Sequence, residues 1–291
     1  MRRRAFMVGG AVATAAALGG GVAGVASDIV PESAAFRRRL GWTGPDGVVP
    51  DVPEGRITRR RVTSRATRSR PELVTIDPHG VPAEQADRLP VCLMLHGRGS
   101  SAYGLVELGM ARFLTQAVRD GVPPCRLVAV DGGEASYWQA SGGSDPQRML
   151  LRELPGWLGG SAPRAVLGIS MGGFGALRYA RSRAVDAVAL LSPALFRTWT
   201  DARAVGVFQG QTDWTADEPL LHTAQLRVQP AGIGLWCGRE DPFHDAALEF
   251  ADAVHPAVAA FDHGAHDEGY WRRVAPDALR FVGERLLAKN A

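Results

Sequence analysis

The sequence is poor in the residues that build metal centres or disulfide-stabilised scaffolds. It has three cysteines, Cys92, Cys125 and Cys237, with no CxxC pair and no His/Cys cluster of zinc spacing, so it predicts no metal site. Cys92 and Cys125 lie at the start of two segments that we predict to be neighbouring strands. A disulfide between them and two buried free thiols remain as alternatives, because sequence does not give the distance between the sulfurs.

The chain also lacks a charge excess beyond its first residues. The formal net charge is +3, from 33 basic and 30 acidic side chains, and leaving out Arg2, Arg3 and Arg4 balances 30 against 30. Charge therefore gives no argument for a nucleic-acid partner. A local excess of arginine runs from Arg37 to Arg70. We interpret it as a solvated face, with peripheral contact to an anionic polymer or lipid of the cell envelope as the alternative.

The N-terminal stretch has no charged residue between Arg4 and Asp28. Consecutive arginines followed by a run of Ala, Gly and Val are typical of an export signal, and the first residues resemble the twin-arginine pattern. We therefore predict an export signal over residues 1–26 and a location outside the cytoplasm. The run also approaches the length of a membrane span, so an uncleaved signal would tether the protein to the membrane.

The rest of the chain divides into two parts. Residues 27–55 are rich in Pro, Gly and Asp and predict a linker or lid. Residues 56–291 predict one catalytic domain that opens with an antiparallel strand pair, "RITRRRVTSRA" and "ELVTIDP". Six apolar runs then alternate with amphipathic stretches: VCLML, RLVAV, AVLGIS, AVALLS, IGLWCG and AVAAFD. This alternation predicts an α/β fold with a mostly parallel central sheet and helices on both faces.

One serine stands between glycines in "AVLGISMGGFGALRYA". Gly168, Ser170 and Gly172 form a GxSxG motif between a predicted strand and a predicted helix, the context of the nucleophile elbow of α/β-hydrolases. Glycine is needed at both flanking positions because a side chain would collide with the adjacent strand or helix. The turn would expose the Ser170 hydroxyl at the amino end of a helix, so we predict that Ser170 is a catalytic nucleophile.

A serine nucleophile needs a base and an acid that orients it, in the chain order Ser, acid, His for this fold. Glu240 and Asp241 follow one predicted strand, and His263 and His266 follow the last one. The residues alone do not choose within either pair. The oxyanion needs two N–H donors. We assign these to the backbone of Met171, directly after the nucleophile, and of Arg98 in "LMLHGRGSS".

Taken together, these segments resemble the putative-esterase family of α/β-hydrolases. The family includes S-formylglutathione hydrolases, feruloyl and acetyl-xylan esterases, and the antigen 85 mycolyltransferases. The resemblance rests on "HGRGSS", "LLRELPGWL", "GISMGGFGALRYA", "CGREDP" and "HDEGYW". It implies an α/β-hydrolase fold, Asp241 as the acid, His266 as the base, and His263 as a structural or rim residue. It implies no cofactor.

The resemblance implies an exported serine esterase that acts on a small-molecule, lipid or carbohydrate ester. An antigen 85-type acyltransferase, which passes the acyl group to a sugar or lipid alcohol, is the alternative. A non-catalytic envelope protein is the third hypothesis. The segment from Ser192 to Leu226 matches no family member that we can place. Its aromatic residues Trp199, Phe208 and Trp214 would either line an acyl pocket or pack in the core.

Overall fold

A computed structural model describes residues 41–288. The predicted export signal (1–26) and the first part of the predicted linker or lid (27–55) lie outside the described residues. Residues 43–47 contact the stretch that includes His263 and Arg273: the Gly47 N–H donates to the Gly269 carbonyl at 2.8 Å, and the Arg273 guanidinium donates to the Pro45 carbonyl at 2.8 Å. The described part of this segment is therefore packed on the domain that follows it.

Eight strands form one sheet in the order β1-β2-β4-β3-β5-β6-β7-β8. Their bounds are β1 Ile57–Arg61, β2 Glu72–Ile76, β3 Val91–Leu95, β4 Arg126–Val130, β5 Ala165–Ile169, β6 Ala187–Leu191, β7 Ile233–Trp236 and β8 Val258–Ala260. β1 pairs with β2, and β2 with β4, in antiparallel register; every other pairing is parallel. The predicted α/β class, the opening antiparallel pair and the six further strands are confirmed.

The helices cover both faces of this sheet. Those of at least ten residues are α3 Met110–Arg119, α6 Met171–Ser182, α9 His244–Val254 and α10 Glu268–Ala288. The shorter ones are α1 Ala83–Ala86, α2 Gly104–Glu107, α4 Pro146–Arg148, α5 Leu154–Trp157, α7 Trp199–Ala204 and α8 Gln211–Asp217, with a π-helix at Met149–Glu153 and 3-10 helices at Pro219–Gln225 and Pro230–Gly232. Within residues 41–288, no helix is both long and apolar enough to cross a membrane.

Side chains alternate between two buried clusters, one on each face of the sheet. Leu93 and Leu95 of β3 join the cluster that contains α6 and α9, whereas Cys92 and Met94 join the cluster that contains α3 and α10. This follows from the two-residue period of a strand. Because both faces are buried, the central strands are apolar throughout, which is why their sequences show unbroken hydrophobic runs.

The arginine-rich part of the chain forms the edge of the sheet. β1 is mostly exposed and carries three consecutive arginines, and charge on an edge strand discourages pairing with a second chain. Arg59 forms an ion pair with Glu72 at 3.0 Å, and Arg56 pairs with the buried Asp77 at 2.6 Å. These two side chains are thus engaged within the domain.

All three cysteines are free and buried. Of the two alternatives that the sequence left for Cys92 and Cys125, the structure has free thiols. Burial raises the pKa of the Cys125 thiol to about 12 and also raises that of Cys92. Both sulfurs therefore stay protonated at neutral pH and act as small apolar groups in the core.

Candidate active site

The turn between β5 and α6 presents Ser170 in a conformation that few non-glycine residues adopt. Its φ is 54° and its ψ is −118°, which is a strained region of the backbone. The Ser170 N–H donates to the Leu191 carbonyl at 2.9 Å, and its carbonyl accepts from the Gly173 N–H at 2.8 Å. The side chain makes no capping hydrogen bond to α6, so the hydroxyl is available for chemistry.

The glycines of the motif allow the strand and the helix to approach each other. A Cβ at Gly168 would overlap the backbone of Gly172, and a Cβ at Gly172 would overlap the carbonyl oxygen of Leu95 at the end of β3. Neither obstacle is a flexible side chain. The elbow therefore requires hydrogen at both positions, for the reason that the sequence suggested.

Three loops at the carboxyl ends of parallel strands bring a serine, a histidine and an aspartate together. The Nε2 atom of His266 lies 2.8 Å from Ser170 Oγ, and its Nδ1 atom lies 2.8 Å from Asp241 Oδ2. Ser170 follows β5, Asp241 follows β7, and His266 follows β8. The Asp241 side chain has no exposed surface, and the His266 side chain is 22% exposed. The three side chains are thus hydrogen-bonded in the order Ser, His, Asp, which is the order within a Ser-His-Asp triad.

The second acid and the second histidine form a separate pair. Glu240 Oε1 lies 2.8 Å from His263 Nδ1, and Glu240 Oε2 accepts from the Gly264 N–H at 2.7 Å. The His263 side chain is 61% exposed. The structure thus resolves the choice that the residues alone left open: Asp241 and His266 reach Ser170, while Glu240 and His263 pair with each other beside them.

Asp241 is held as an anion although it is buried. Burial alone would raise the pKa of this carboxyl, but the His266 ring and the Phe243 N–H, which donates at 2.9 Å, bring the pKa below its usual value. The aromatic rings of Phe243 and Trp271 each pack edge-on against the His266 ring, with centroids 5.2 Å away. The imidazole is therefore fixed by one carboxylate and two aromatic walls.

The candidate oxyanion donors belong to the first residue of α6 and to the loop after β3. Met171 is the first residue of α6, so its N–H has no partner in a preceding helical turn. Gly97 lies so close to the serine that a Cβ there would stand 3.4 Å from Ser170 Cβ. Arg98, the next residue, is exposed. The loop to which we assigned the second donor therefore touches the nucleophile.

The aromatic residues after β6 pack in the core. Phe208 and Trp214 are buried, and the Phe208 ring lies 6.1 Å from both Phe174 and Phe196. Trp199 lies 6.3 Å from Trp214. Of the two roles that the sequence left open for these rings, their contacts are those of packing.

Three residues around the site had no role in the sequence prediction. His96 and Trp138 are buried beside the loop 97–99, and Glu218 is buried within the segment that follows β6. The segment "LMLHGRGSS" supplies the predicted donor Arg98, but it does not mark the His96 ring. Nothing in the local sequence marks Trp138 or Glu218.

Comparison with models of protein families assigns the chain to a family. The model of the Putative esterase family matches residues 64–281. The chain belongs to the Putative esterase family. Membership supports ester hydrolysis as the class of reaction. A comparison with curated proteins finds no match.

Among solved structures, the family member is similar to several esterases. A ferulic acid esterase matches with a TM-score of 0.67 and 18% identity, over 80% of this chain and 100% of that one. S-formylglutathione hydrolase from Agrobacterium tumefaciens matches with a TM-score of 0.65 and 17% identity, over 81% and 98%. Fluorophosphonate-binding serine hydrolase F from Staphylococcus aureus gives 0.58 and 16%, over 78% and 98%. At these identities the likeness shows the fold, which is that of α/β-hydrolases.

Proposed function

We propose that the protein is an exported serine esterase that hydrolyses carboxylic esters through an acyl-enzyme on Ser170. The observation that carries the proposal is the pair of hydrogen bonds that link Asp241 to His266 and His266 to Ser170, each 2.8 Å long. Membership of an esterase family supports the same class of substrate.

Each residue has a defined part in the proposed reaction. The Ser170 oxygen bonds to the ester carbonyl carbon while His266 Nε2 takes the hydroxyl proton. The N–H groups of Met171 and Arg98 donate to the resulting oxyanion. The bond to the alcohol oxygen then breaks, and His266 returns the proton to the departing alcohol. Asp241 holds the ring with Nδ1–H towards itself and stabilises the imidazolium.

Water completes the cycle in this proposal. His266 removes a proton from water, the hydroxide oxygen bonds to the acyl carbon, and Ser170 leaves with the proton from His266. These reaction steps use no metal or cofactor.

Transfer to a sugar or lipid alcohol would follow the same steps with a different acceptor. Product analysis in the presence of a polyol separates the two: free acid supports the esterase, and acylated polyol in its place supports the acyltransferase.

Turnover of p-nitrophenyl acetate and butyrate tests the proposed activity. We expect the full chain to release nitrophenol. In Ser170→Ala the rate should be lower by at least about 10³-fold, since the nucleophile acts as a unit with its base. A Ser170→Ala variant with the wild-type rate would refute the proposal and return attention to a non-catalytic envelope protein.

Export is the second part of the proposal and needs its own test. It rests on the composition of residues 1–26. Fractionation of cells that produce the full chain should place the protein outside the cytoplasm. Recovery with membranes would support an uncleaved signal or envelope contact, whereas cytosolic recovery would contradict export.

A further inference from the structure

The loop between β3 and α2 is fastened from one side by the segment after β4. The Gly99 N–H donates to the Glu134 carbonyl at 2.9 Å. The Gly132 N–H donates to His96 Nε2 at 3.1 Å, and the Trp138 indole N–H donates to the His96 carbonyl at 3.3 Å. Three hydrogen bonds therefore join residues 132–138 to residues 96–99, the loop in which Gly97 lies beside Ser170.

The tautomer of His96 follows from its partners. A backbone N–H can only donate, so Nε2 must accept from Gly132, and the ring proton must sit on Nδ1. That Nδ1 lies 2.9 Å from the Gly97 carbonyl oxygen, to which it donates. Burial lowers the pKa of His96. The His96 ring is therefore neutral, and each of its two nitrogens forms a hydrogen bond with a backbone group.

The Gly97 carbonyl belongs to the same peptide unit as the Arg98 N–H. A peptide bond is planar, and in the trans form its C=O and N–H point in opposite directions. Holding the Gly97 oxygen thus fixes the direction of the Arg98 N–H, the donor assigned to the oxyanion. The Ser100 N–H also donates to the Gly97 oxygen, at 3.3 Å.

Trp138 is built into this arrangement at a conformational cost. Its φ is 55°, and that of Tyr137 is 49°; both residues lie in the left-handed region, which bulky side chains rarely adopt and which strains the backbone. The indole is fully buried and fills space that side chains at Gly132 and Gly175 would occupy. Its ring centroid lies 5.1 Å from that of His96.

We propose that His96 and Trp138 are positioning residues that orient the Arg98 N–H for oxyanion binding. This inference rests on the proposed function. His96 sets the peptide plane, and Trp138 holds the His96 carbonyl and packs beside the ring. Neither side chain needs to touch the substrate.

Two substitutions at His96 separate positioning from packing. Asparagine places its amide nitrogen near the position of Nδ1 and keeps the donor to Gly97, whereas glutamine places its amide near Nε2 and keeps only the acceptor for Gly132. Asparagine removes more volume. A purely structural role therefore makes His96→Asn the worse variant, and a positioning role makes His96→Gln the worse one.

We expect His96→Gln to lower kcat by about 10- to 100-fold with KM within about threefold, because a misdirected donor affects the transition state most. His96→Asn should stay within about threefold of the wild-type kcat. Inhibition by an alkyl trifluoromethyl ketone is a second readout. Ser170 Oγ adds to its carbonyl carbon, the hydroxyl proton passes to His266, and the ketone oxygen becomes an oxyanion. Its Ki should rise in parallel with the loss of kcat.

If the His96 variants do not fold, substitutions at two tryptophans test the proposal instead. Trp138→Phe removes the donor to His96, and Trp236→Phe is the matched control, since Trp236 is also buried and packs against Phe281. We expect about a tenfold lower kcat for Trp138→Phe and, for the folded fraction of Trp236→Phe, a change within about twofold.

The possible results separate the two proposals. A wild-type chain without esterase turnover, or Ser170→Ala with the wild-type rate, means that the proposed function fails. An active wild type with wild-type kcat and Ki in folded His96→Gln, or with His96→Asn the worse variant, overturns the positioning role. Equal kcat in the two tryptophan variants does the same.

Discussion

At the scale of single residues, the site depends on which of two adjacent acids faces inward. Asp241 has no exposed side-chain surface and contacts His266, while Glu240 turns to His263. The two acids are one position apart, so composition and spacing treat them alike. In the structure, the direction of the loop after β7 tells them apart, because it buries one carboxylate and leaves the other at the rim.

Substitution of the two acids should therefore have unequal effects. Asp241→Asn removes the charge that orients His266 and stabilises the imidazolium, so kcat should fall by about 10³- to 10⁴-fold. Glu240→Gln is the matched control, and kcat should stay within about threefold because Glu240 does not contact His266. Steady-state kinetics of both variants check this. Comparable losses in the two would contradict the assignment of Asp241.

At this scale the sequence predicts the candidate catalytic residues but not the buried residues that hold the surrounding loops. The GxSxG motif marks Ser170 by itself, and the family resemblance selects Asp241 and His266. His96, Trp138 and Glu218 act through contacts with segments 22 or more positions away. No local pattern reports such contacts. The left-handed backbone at Trp138 is also unforeseeable, because aromatic residues rarely adopt it.

At the scale of elements, the elbow is a close contact between α6 and β3. A Cβ at Gly172 would overlap the Leu95 carbonyl. Gly156 in α5 makes a matched control, because it is exposed and a Cβ there meets no atom within 4 Å.

Alanine substitutions at Gly172 and Gly156 should distinguish the effect of the close backbone contact from the effect of helix propensity. We expect Gly172→Ala to lower the free energy of unfolding by about 1 to 3 kcal/mol or more, since backbone must move to admit the methyl group. Gly156→Ala should be neutral or stabilising by up to about 1 kcal/mol, as alanine favours a helix. Denaturant titrations measure both. Equal stability of the two variants would contradict the close contact.

The segment after β6 is anchored by one buried carboxylate. Glu218 accepts from the Phe196 N–H at 3.3 Å, the Trp214 indole at 3.2 Å and the Leu220 N–H at 3.2 Å. Burial outweighs these donors and raises the pKa of Glu218 from 4.5 to about 8. The folded protein thus binds this proton more tightly than the unfolded chain does.

Stability should consequently depend on pH through Glu218. The contribution of the bound proton is present below the unfolded pKa of 4.5 and is lost as the pH rises to about 8. Glu218→Gln cannot titrate, so this variant should gain stability relative to the wild type between about pH 5 and about pH 9. Unfolding free energies across this range test it, with the exposed Glu84→Gln as control. Parallel curves for the wild type and Glu218→Gln would contradict a raised pKa.

One element departs from its sequence prediction in detail. The alternation of apolar runs and amphipathic stretches predicts a helix between β4 and β5, and the structure divides residues 145–160 into α4, a π-helix and α5. Pro155 lies in the first turn of α5 and lacks an N–H, which disturbs the hydrogen-bond ladder before it. Glu153, at the end of the π-helix, accepts from Ser64 Oγ at 2.6 Å and from the Arg65 and Ala66 N–H groups at 3.0 Å. This long-range anchor is invisible to helical periodicity.

At the scale of the whole molecule, the sheet could be predicted because its strands are buried on both faces. β3 to β6 read as continuous apolar runs, and their alternation with amphipathic helices fixes parallel pairing. Parallel pairing in turn gathers the carboxyl ends of β5, β7 and β8 at one edge. The arrangement of the segment between β6 and β7 could not be predicted, since its short helices are ordered by aromatic packing from several elements.

Covalent labelling with a fluorophosphonate, followed by peptide mapping, tests the central claim most directly. The reagent reacts with a serine only when a base and an oxyanion site activate it. We expect one modification per folded chain, on Ser170, and no labelling of Ser170→Ala or of His266→Ala. A folded wild-type chain that remained unlabelled, or that was labelled at another serine, would contradict it.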